Sequence, residues 1–302
     1  MNLKLDSTVT LNNGVKMPQL GMGVWKVNNS GASQAVQWAL KHGYKAIDTA
    51  KQYGNEAGVG EGLQKGFADN GLKREDIFLT TKIFNGDQGY QSTLDNFEGQ
   101  LKRLQTDYVD LLLIHWPVDG TYLETWRALE TIYKEGKARA IGVSNFNIER
   151  LKDILQHCSI KPAVNQMEYH PLCQEVDIKN FCDENNIHLE AWSPLGGGSV
   201  LGDPRLKKIA DKYNKSVAQV ILRWDLQNGI ITIPKSVHED RIKENIDVFD
   251  FELSADDMKV MSSLDKNESQ FFDTDKRSLW YGGFFWSGNP DGYKDEVEQW
   301  DD

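Results

Sequence analysis

The segment Val109-Asp-Leu-Leu-Leu-Ile-His115 constrains the fold more than any other in the chain. Its apolar residues do not alternate with polar ones, so a strand built from it must be covered on both faces, as in a parallel sheet flanked by helices. Ile77-Phe-Leu-Thr-Thr-Lys82 is a second run of this kind. Between the two, Tyr90, Leu94, Phe97, Leu101 and Leu104 recur at helical spacing. The same alternation runs through the chain. Strand readings fall on Gly21 to Trp25, Ile47, Ile77 to Lys82, Val109 to His115, Ala138 to Val143, Ala163 to Met167, Leu189 to Trp192 and Ile230 to Ile233, with helix-like stretches after them. Eight strand–helix units predict a parallel sheet closed into a (β/α)8, or TIM, barrel. An open doubly wound sheet is the alternative, but no G-x-G-x-x-G follows the first strand. Ahead of the barrel, Asn12-Asn13-Gly14 between two short β-prone runs in residues 8–18 predicts a hairpin.

A length of 302 residues suits one barrel domain over 1–302, with no linker or repeat before about residue 265. A net charge of −11 without any Lys/Arg block argues against a nucleic-acid partner. The run Val109 to Ile114 is too short to span a membrane, and MNLKLDSTVT has no apolar signal core. The expected location is therefore cytoplasmic. Cys158, Cys173 and Cys182 fit neither a disulfide framework nor a Cys-x-x-Cys site, and His170 with Cys173 lacks a second ligand pair, so no metal site is expected. Residues 266–302 differ from the rest. They mix glycine and acidic residues with Phe271, Phe272, Trp280, Tyr281, Phe284, Phe285 and Trp286 and show no period. So many aromatics predict a segment folded over the barrel mouth as a partial lid, or packed on its flank or on a partner.

Catalytic groups in such barrels sit at the C-terminal ends of the strands. Polar residues end the predicted strands here at Asp48, Lys82, His115, Ser144-Asn145, Gln166 and Ser193, about one βα unit apart, so they should converge on one rim. The stretch Gly43 to Gly60, GYKAIDTAKQYGNEAGVG, adds Tyr53 five residues after Asp48. This stretch resembles the first signature of the aldo-keto reductase superfamily. Ala140-Ile-Gly-Val-Ser-Asn-Phe146 is similar to the second, and Ala163 to Pro171, Trp192-Ser-Pro-Leu-Gly196 and Ile233-Pro-Lys-Ser236 also fit. The likeness spans the hairpin to about Asp265 and is nearest to microbial carbonyl and diketo-gluconate reductases. Two positions depart from the usual pattern: Lys45 replaces a common Arg, and Val24 replaces a Thr.

The resemblance implies an NADPH-dependent reduction of aldehyde or ketone carbonyls by hydride transfer. It makes Asp48, Tyr53, Lys82 and His115 a catalytic tetrad, with Tyr53 as general acid. Lys82 would make the phenol more acidic, Asp48 would hold Lys82, and neutral His115 would orient the carbonyl oxygen. By the same resemblance, NADPH/NADP+ lies along Gly23, Val24, Trp25, Asp48, Ser144, Asn145, Gln166, Trp192, Ser193, Pro194, Leu195 and Gly196. Lys235, Ser236 and Arg241 would grip the 2′-phosphate, with Glu244 and Asn245 on the adenine. Trp25, Tyr53, Phe84, His115 and Trp116 would wall a small carbonyl substrate. The implied assembly is a monomer or weak homodimer. The rival reading is a non-catalytic NADPH-binding regulatory or structural protein of the same fold.

Overall fold

The computed structural model describes residues 3–269 and Phe271. Strands β1 (Thr8–Thr10) and β2 (Lys16–Pro18) form the expected antiparallel hairpin. The eight strands that follow are all parallel and neighbour one another in chain order: β3 (Met22–Gly23), β4 (Ala46–Asp48), β5 (Phe78–Ile83), β6 (Val109–Ile114), β7 (Ala138–Ser144), β8 (Val164–Glu168), β9 (His188–Trp192) and β10 (Ile231–Thr232). The sheet closes on itself. Gly21 N donates to Thr232 O at 3.0 Å, Thr232 N donates to Gln19 O at 3.0 Å, and Gly23 bridges Lys235 in parallel. The fold is thus a barrel and not an open sheet. The strand predicted over Ile230 to Ile233 contracts to two residues, and Pro234 beyond it has no N–H to extend the ladder.

Helices α1 (Asn29–Lys41), α2 (Glu56–Asn70), α3 (Tyr90–Leu104), α4 (Tyr122–Lys134), α5 (Ile148–His157), α6 (Val176–Glu184), α7 (Pro204–Tyr213), α8 (Val217–Gln227), α9 (Glu239–Ile246) and α10 (Ala255–Ser262) lie between and after the strands. Their apolar faces and the outward residues of the strands make the larger core. Helix α2 lies unusually close to α1. A Cβ at Gly58 would stand 2.1 Å from Asn29 O, and one at Gly62 would stand 2.6 Å from Ser33 O. Only glycine permits that approach, and it holds the segment after β4 firmly in place.

A second apolar cluster joins the hairpin to the strands: Leu11 and Met17 meet Ala46, Phe78, Leu111, Leu113, Ala140, Val164 and Ile231. The hairpin therefore closes the barrel at the strands' N-terminal ends. Asn12 Nδ2 donates to Pro162 O at 2.7 Å and Asn13 Nδ2 to Arg139 O at 2.9 Å, which satisfies backbone carbonyls at that end. The opposite end remains as a cleft of about 1260 Å³. No helix among the described residues is long and apolar enough to cross a membrane. The aromatics expected in a lid, apart from Phe271, lie outside the described residues.

Candidate active site

The floor of the cleft is built by alternate residues of successive strands. Register pairs Asp48 with Thr80 across β4 and β5, and Lys82 with Leu113 across β5 and β6. Lys82, fully buried at the end of β5, donates from Nζ to Asp48 Oδ1 at 2.6 Å, to Thr49 O at 3.0 Å and to Tyr53 OH at 3.3 Å. Tyr53 ends a short 3-10 turn (Lys51–Tyr53) whose chain reverses at Gly54, φ 66°. Asn55 then ties the loop after β4 to the loop after β3. Its Oδ1 accepts from Thr49 Oγ1 at 2.9 Å, and its Nδ2 donates to Val24 O and Val27 O, each at 2.8 Å. His115 faces Tyr53 edge to face, with ring centroids 5.7 Å apart. All four residues expected from the strand ends and the first motif thus meet at one point.

Their electrostatics follow from burial. Burial pushes the His115 imidazole well below its ordinary pKa and the charge of Lys82 pushes it further, so the ring is neutral at physiological pH. Its Nδ1 has no hydrogen-bond partner among the described residues. Burial also holds the Tyr53 phenol well above its usual range, and the charge of Asp48, joined by that of Glu190 when this acid is ionised, adds to that. Burial is the larger influence and outweighs the acidification expected from Lys82. Tyr53 therefore stands as a neutral phenol, the form that can donate a proton. Burial raises Asp48 as well, against the pull of Lys82 and Gln166.

Beside this group, β7, β8 and β9 end in a connected set of amides and hydroxyls. Asn145, in the left-handed region at φ 64°, donates from Nδ2 to His115 O and to Ser144 Oγ, each at 3.0 Å. Its Oδ1 accepts from Trp192 Nε1 at 2.9 Å, which fixes the tryptophan ring at the wall of the cleft. Ser144 Oγ donates to Gln166 O at 2.9 Å. Gln166 Nε2 donates to Asp48 Oδ2 at 2.8 Å and to Glu190 Oε2 at 2.9 Å. Both amide hydrogens are used inward, and Gln166 lines the cleft.

At the far end, Lys235 and Arg241 line the cleft with Ser236, Glu244 and Asn245. Lys26, which the sequence reading passed over, joins them. It stands 4.6 Å from the centroid of the Trp25 ring. Partial burial and the charge of Lys26 draw the Lys235 pKa down. Among the described residues no carboxylate is ion-paired with Lys26, Lys235 or Arg241. Three cations without an ion-paired carboxylate give this end of the cleft a local positive charge in a chain of net charge −11.

The cleft is also lined by Gly23, Trp25, Trp116, Ser193, Pro194 and Leu195, as expected. Gly196 lies behind the surface while Gly197 and Gly198 face it. Val24 is fully buried, with its carbonyl taken by Asn55. Phe84 is half-buried outside the cleft lining. Phe271 stands over the cleft, with its ring centroid 5.5 Å from that of Trp25 and 5.5 Å from that of Trp192. Gln52, His238 and the buried acid Glu190 were also missed from sequence.

The model of the aldo/keto reductase family matches residues 17–266. The chain belongs to that family. It is 54% identical over 268 residues to an uncharacterized oxidoreductase, YtbE, of Bacillus subtilis, covering 88% of this chain and 96% of the relative. It is 53% identical over 269 residues to the glyoxal reductase of the same organism, covering 89% and 96%. Among solved structures, a mutant of Gox0644 in complex with NADPH superposes with a TM-score of 0.84 at 43% identity, over 89% of this chain and 97% of that one. An aldo-keto reductase of Bombyx mori in complex with NADP gives 0.87 at 32% identity, over 92% and 98%.

Proposed function

We propose that the protein reduces the carbonyl group of small aldehydes and ketones to alcohols, with NADPH as the reductant. The observation that carries this reading is the contact of Lys82 Nζ with both Asp48 Oδ1 and Tyr53 OH at the floor of the cleft, facing a neutral His115. A protein that merely binds a nucleotide has no need of a phenol held against a buried ammonium. The residues present suit the cofactor. The cations Lys26, Lys235 and Arg241 would take its phosphates, and Arg241 could grip the 2′-phosphate bidentately. Trp192, Ser144, Asn145 and the outward face of Gln166 would hold the nicotinamide end. When bound, NADPH supplies the hydride to the carbonyl carbon.

The chain's own residues do the rest. His115 offers a neutral ring to the substrate oxygen and orients it. The Tyr53 hydroxyl gives its proton to that oxygen as negative charge develops there. The phenolate left behind lies against Lys82 Nζ, and Asp48 keeps the ammonium in place without leaving it an unpaired buried charge. Trp25, Trp116 and Phe271 exclude water and accept an apolar or sugar-like body. The relative that reduces glyoxal puts small dicarbonyl compounds in the first panel to try.

The experiment is the loss of NADPH absorbance with purified protein and a panel of aldehydes, ketones and dicarbonyls. Turnover with at least one class is expected. NADPH binding without oxidation by any of them would favour the regulatory or structural reading and overturn this one.

A further inference from the structure

The mechanism above makes no use of Glu190, a fully buried carboxyl group one hydrogen-bonded step from Asp48. Glu190 sits in the middle of β9, in register with Gln166 of β8 on one side and with Ile231 of β10 on the other. A single nitrogen, Gln166 Nε2, serves both acids, at 2.8 Å to Asp48 Oδ2 and 2.9 Å to Glu190 Oε2. The two acids are otherwise unequal. Asp48 has Lys82 at 2.6 Å, whereas Glu190 has no cation in contact, and its Oε1 has no partner among the described residues. A buried carboxylate with one bare oxygen and a negative neighbour is strongly disfavoured over the neutral acid.

We propose that Glu190 is a positioning residue for the reductase reaction: as a neutral acid it fixes the amide of Gln166 beneath Asp48 and sets the charge balance around Lys82 and Tyr53. With Glu190 neutral, Asp48 and Lys82 cancel. The anchored amide then presents its carbonyl oxygen, the only side-chain group of Gln166 left free, to the cleft. Ionised, Glu190 would put a second negative charge under Tyr53, make the phenol a poorer acid and pull Lys82 between two carboxylates. The charged groups that reach Glu190 are Asp48 from β4 and Lys82 from β5. Gln166 comes from β8, β10 contributes Ile231, and on its own strand His188 turns to Thr10 O at the hairpin. Burial first, and the charge of Asp48 second, raise Glu190 to about 8, so the neutral form prevails at physiological pH and is lost just above it.

The inference rests on the carbonyl-reductase reading, and the test separates the two. The pH profile of kcat/KM is measured for the wild type, Glu190→Gln and Glu190→Leu, with circular dichroism confirming that each is folded. The wild type should lose activity on an alkaline limb centred near pH 8. Glu190→Gln keeps an acceptor oxygen for Gln166 and cannot ionise, so its profile should stay level there. Glu190→Leu lacks the acceptor and should fall about tenfold at every pH, a loss in the range of one buried hydrogen bond. An alkaline limb that persists unchanged in Glu190→Gln overturns the proposal, as does full activity in Glu190→Leu. An independent readout needs no cofactor. Infrared difference spectra should show a protonated carboxyl band that bleaches as pH rises through 8 and is missing from Glu190→Gln. A wild type that bleaches this band but oxidises no NADPH refutes the carbonyl-reductase reading, and the proposed role with it, while confirming the charge state. A wild type that turns over without the band refutes only Glu190.

Discussion

The two ends of the barrel interior are made from the same strands and differ in almost everything else. On β5, Phe78 fills the lower end and Lys82 the upper. On β4 the pair is Ala46 and Asp48, and β6 runs from Leu111 and Leu113 to His115 just past its end. The lower end is apolar and closed by the hairpin residues Leu11 and Met17. Burial there stabilises the fold at roughly 25 cal/mol per Å² of apolar surface. The upper end buries an ammonium, two carboxyls, a phenol and an imidazole, each of which costs desolvation energy that its partners only partly offset. One end therefore holds the barrel shut, and the other spends stability on chemistry. Substitutions at the two ends should separate cleanly into losses of stability and losses of turnover.

The sharpest break is expected at the upper end. Tyr53→Phe removes only a hydroxyl, and kcat should drop about 10²- to 10⁴-fold, the range of general acid catalysis. The melting temperature and NADPH affinity should change little. Near-normal turnover of the purified variant would remove Tyr53 from its proposed role. The lower end should show the converse. Phe78→Ala opens a cavity in the apolar cluster and should lower unfolding free energy by about 3–5 kcal/mol in urea titrations. The kcat of the fraction that remains folded should stay near wild type. If kcat falls in step with stability, the two ends are coupled and the division fails.

Inside the cleft the comparison can be sharpened between the reacting floor and the exposed cations at its far end. Arg241→Ala should weaken NADPH binding by about 1.5–3 kcal/mol, the span for a hydrogen bond to a charged group. NADH binding and kcat at saturating cofactor should hardly move. Equal losses for both cofactors in fluorescence titrations would exclude a grip on the 2′-phosphate.

What could be read beforehand follows the same division. The barrel was legible because runs such as Val109 to Ile114 carry no polar face, and because the spacing between them matches a helix and its turns. The floor was legible because its side chains end strands and stand next to a recognisable loop. Glu190 was not. In His188-Leu-Glu-Ala-Trp192 an acid in a strand reads equally well as facing solvent, and only the register of β8 with β9 turns it inward under Gln166. Lys26 follows Trp25 in what reads as an ordinary solvated loop, and its left-handed backbone, φ 56°, has no signature in the sequence. Phe84, two residues after Lys82, would share its face if the strand ran on, but β5 ends at Ile83 and Phe84 opens the 3-10 turn Asn85–Asp87, which keeps it out of the lining. The high pKa of the Tyr53 phenol is not legible either, because it comes first from burial, which depends on how the strands and loops close around the ring and against which the pull of a neighbouring lysine must work.

The smallest effect tests where the floor meets the roof. Phe271 is held between Trp25 and Trp192, with its ring centroid 5.5 Å from each. The chain reaches it through backbone bonds from Lys266 N to Leu172 O at 3.0 Å and through Ser269, whose hydroxyl donates to Glu168. The ring is thus delivered from the barrel wall to the mouth without any part in the proton-donating group. Phe271→Ala removes the ring against which a bulky carbonyl substrate would pack, one aromatic contact worth about 0.5–1.5 kcal/mol, so KM for such substrates should rise by about two- to tenfold. For the smallest aldehydes, which leave the roof unfilled, KM and kcat should stay where they are. A uniform change across all substrates would mean that the ring supports Trp192 and the cofactor rather than the substrate. An unchanged ranking would mean that Phe271 has no share in the substrate pocket.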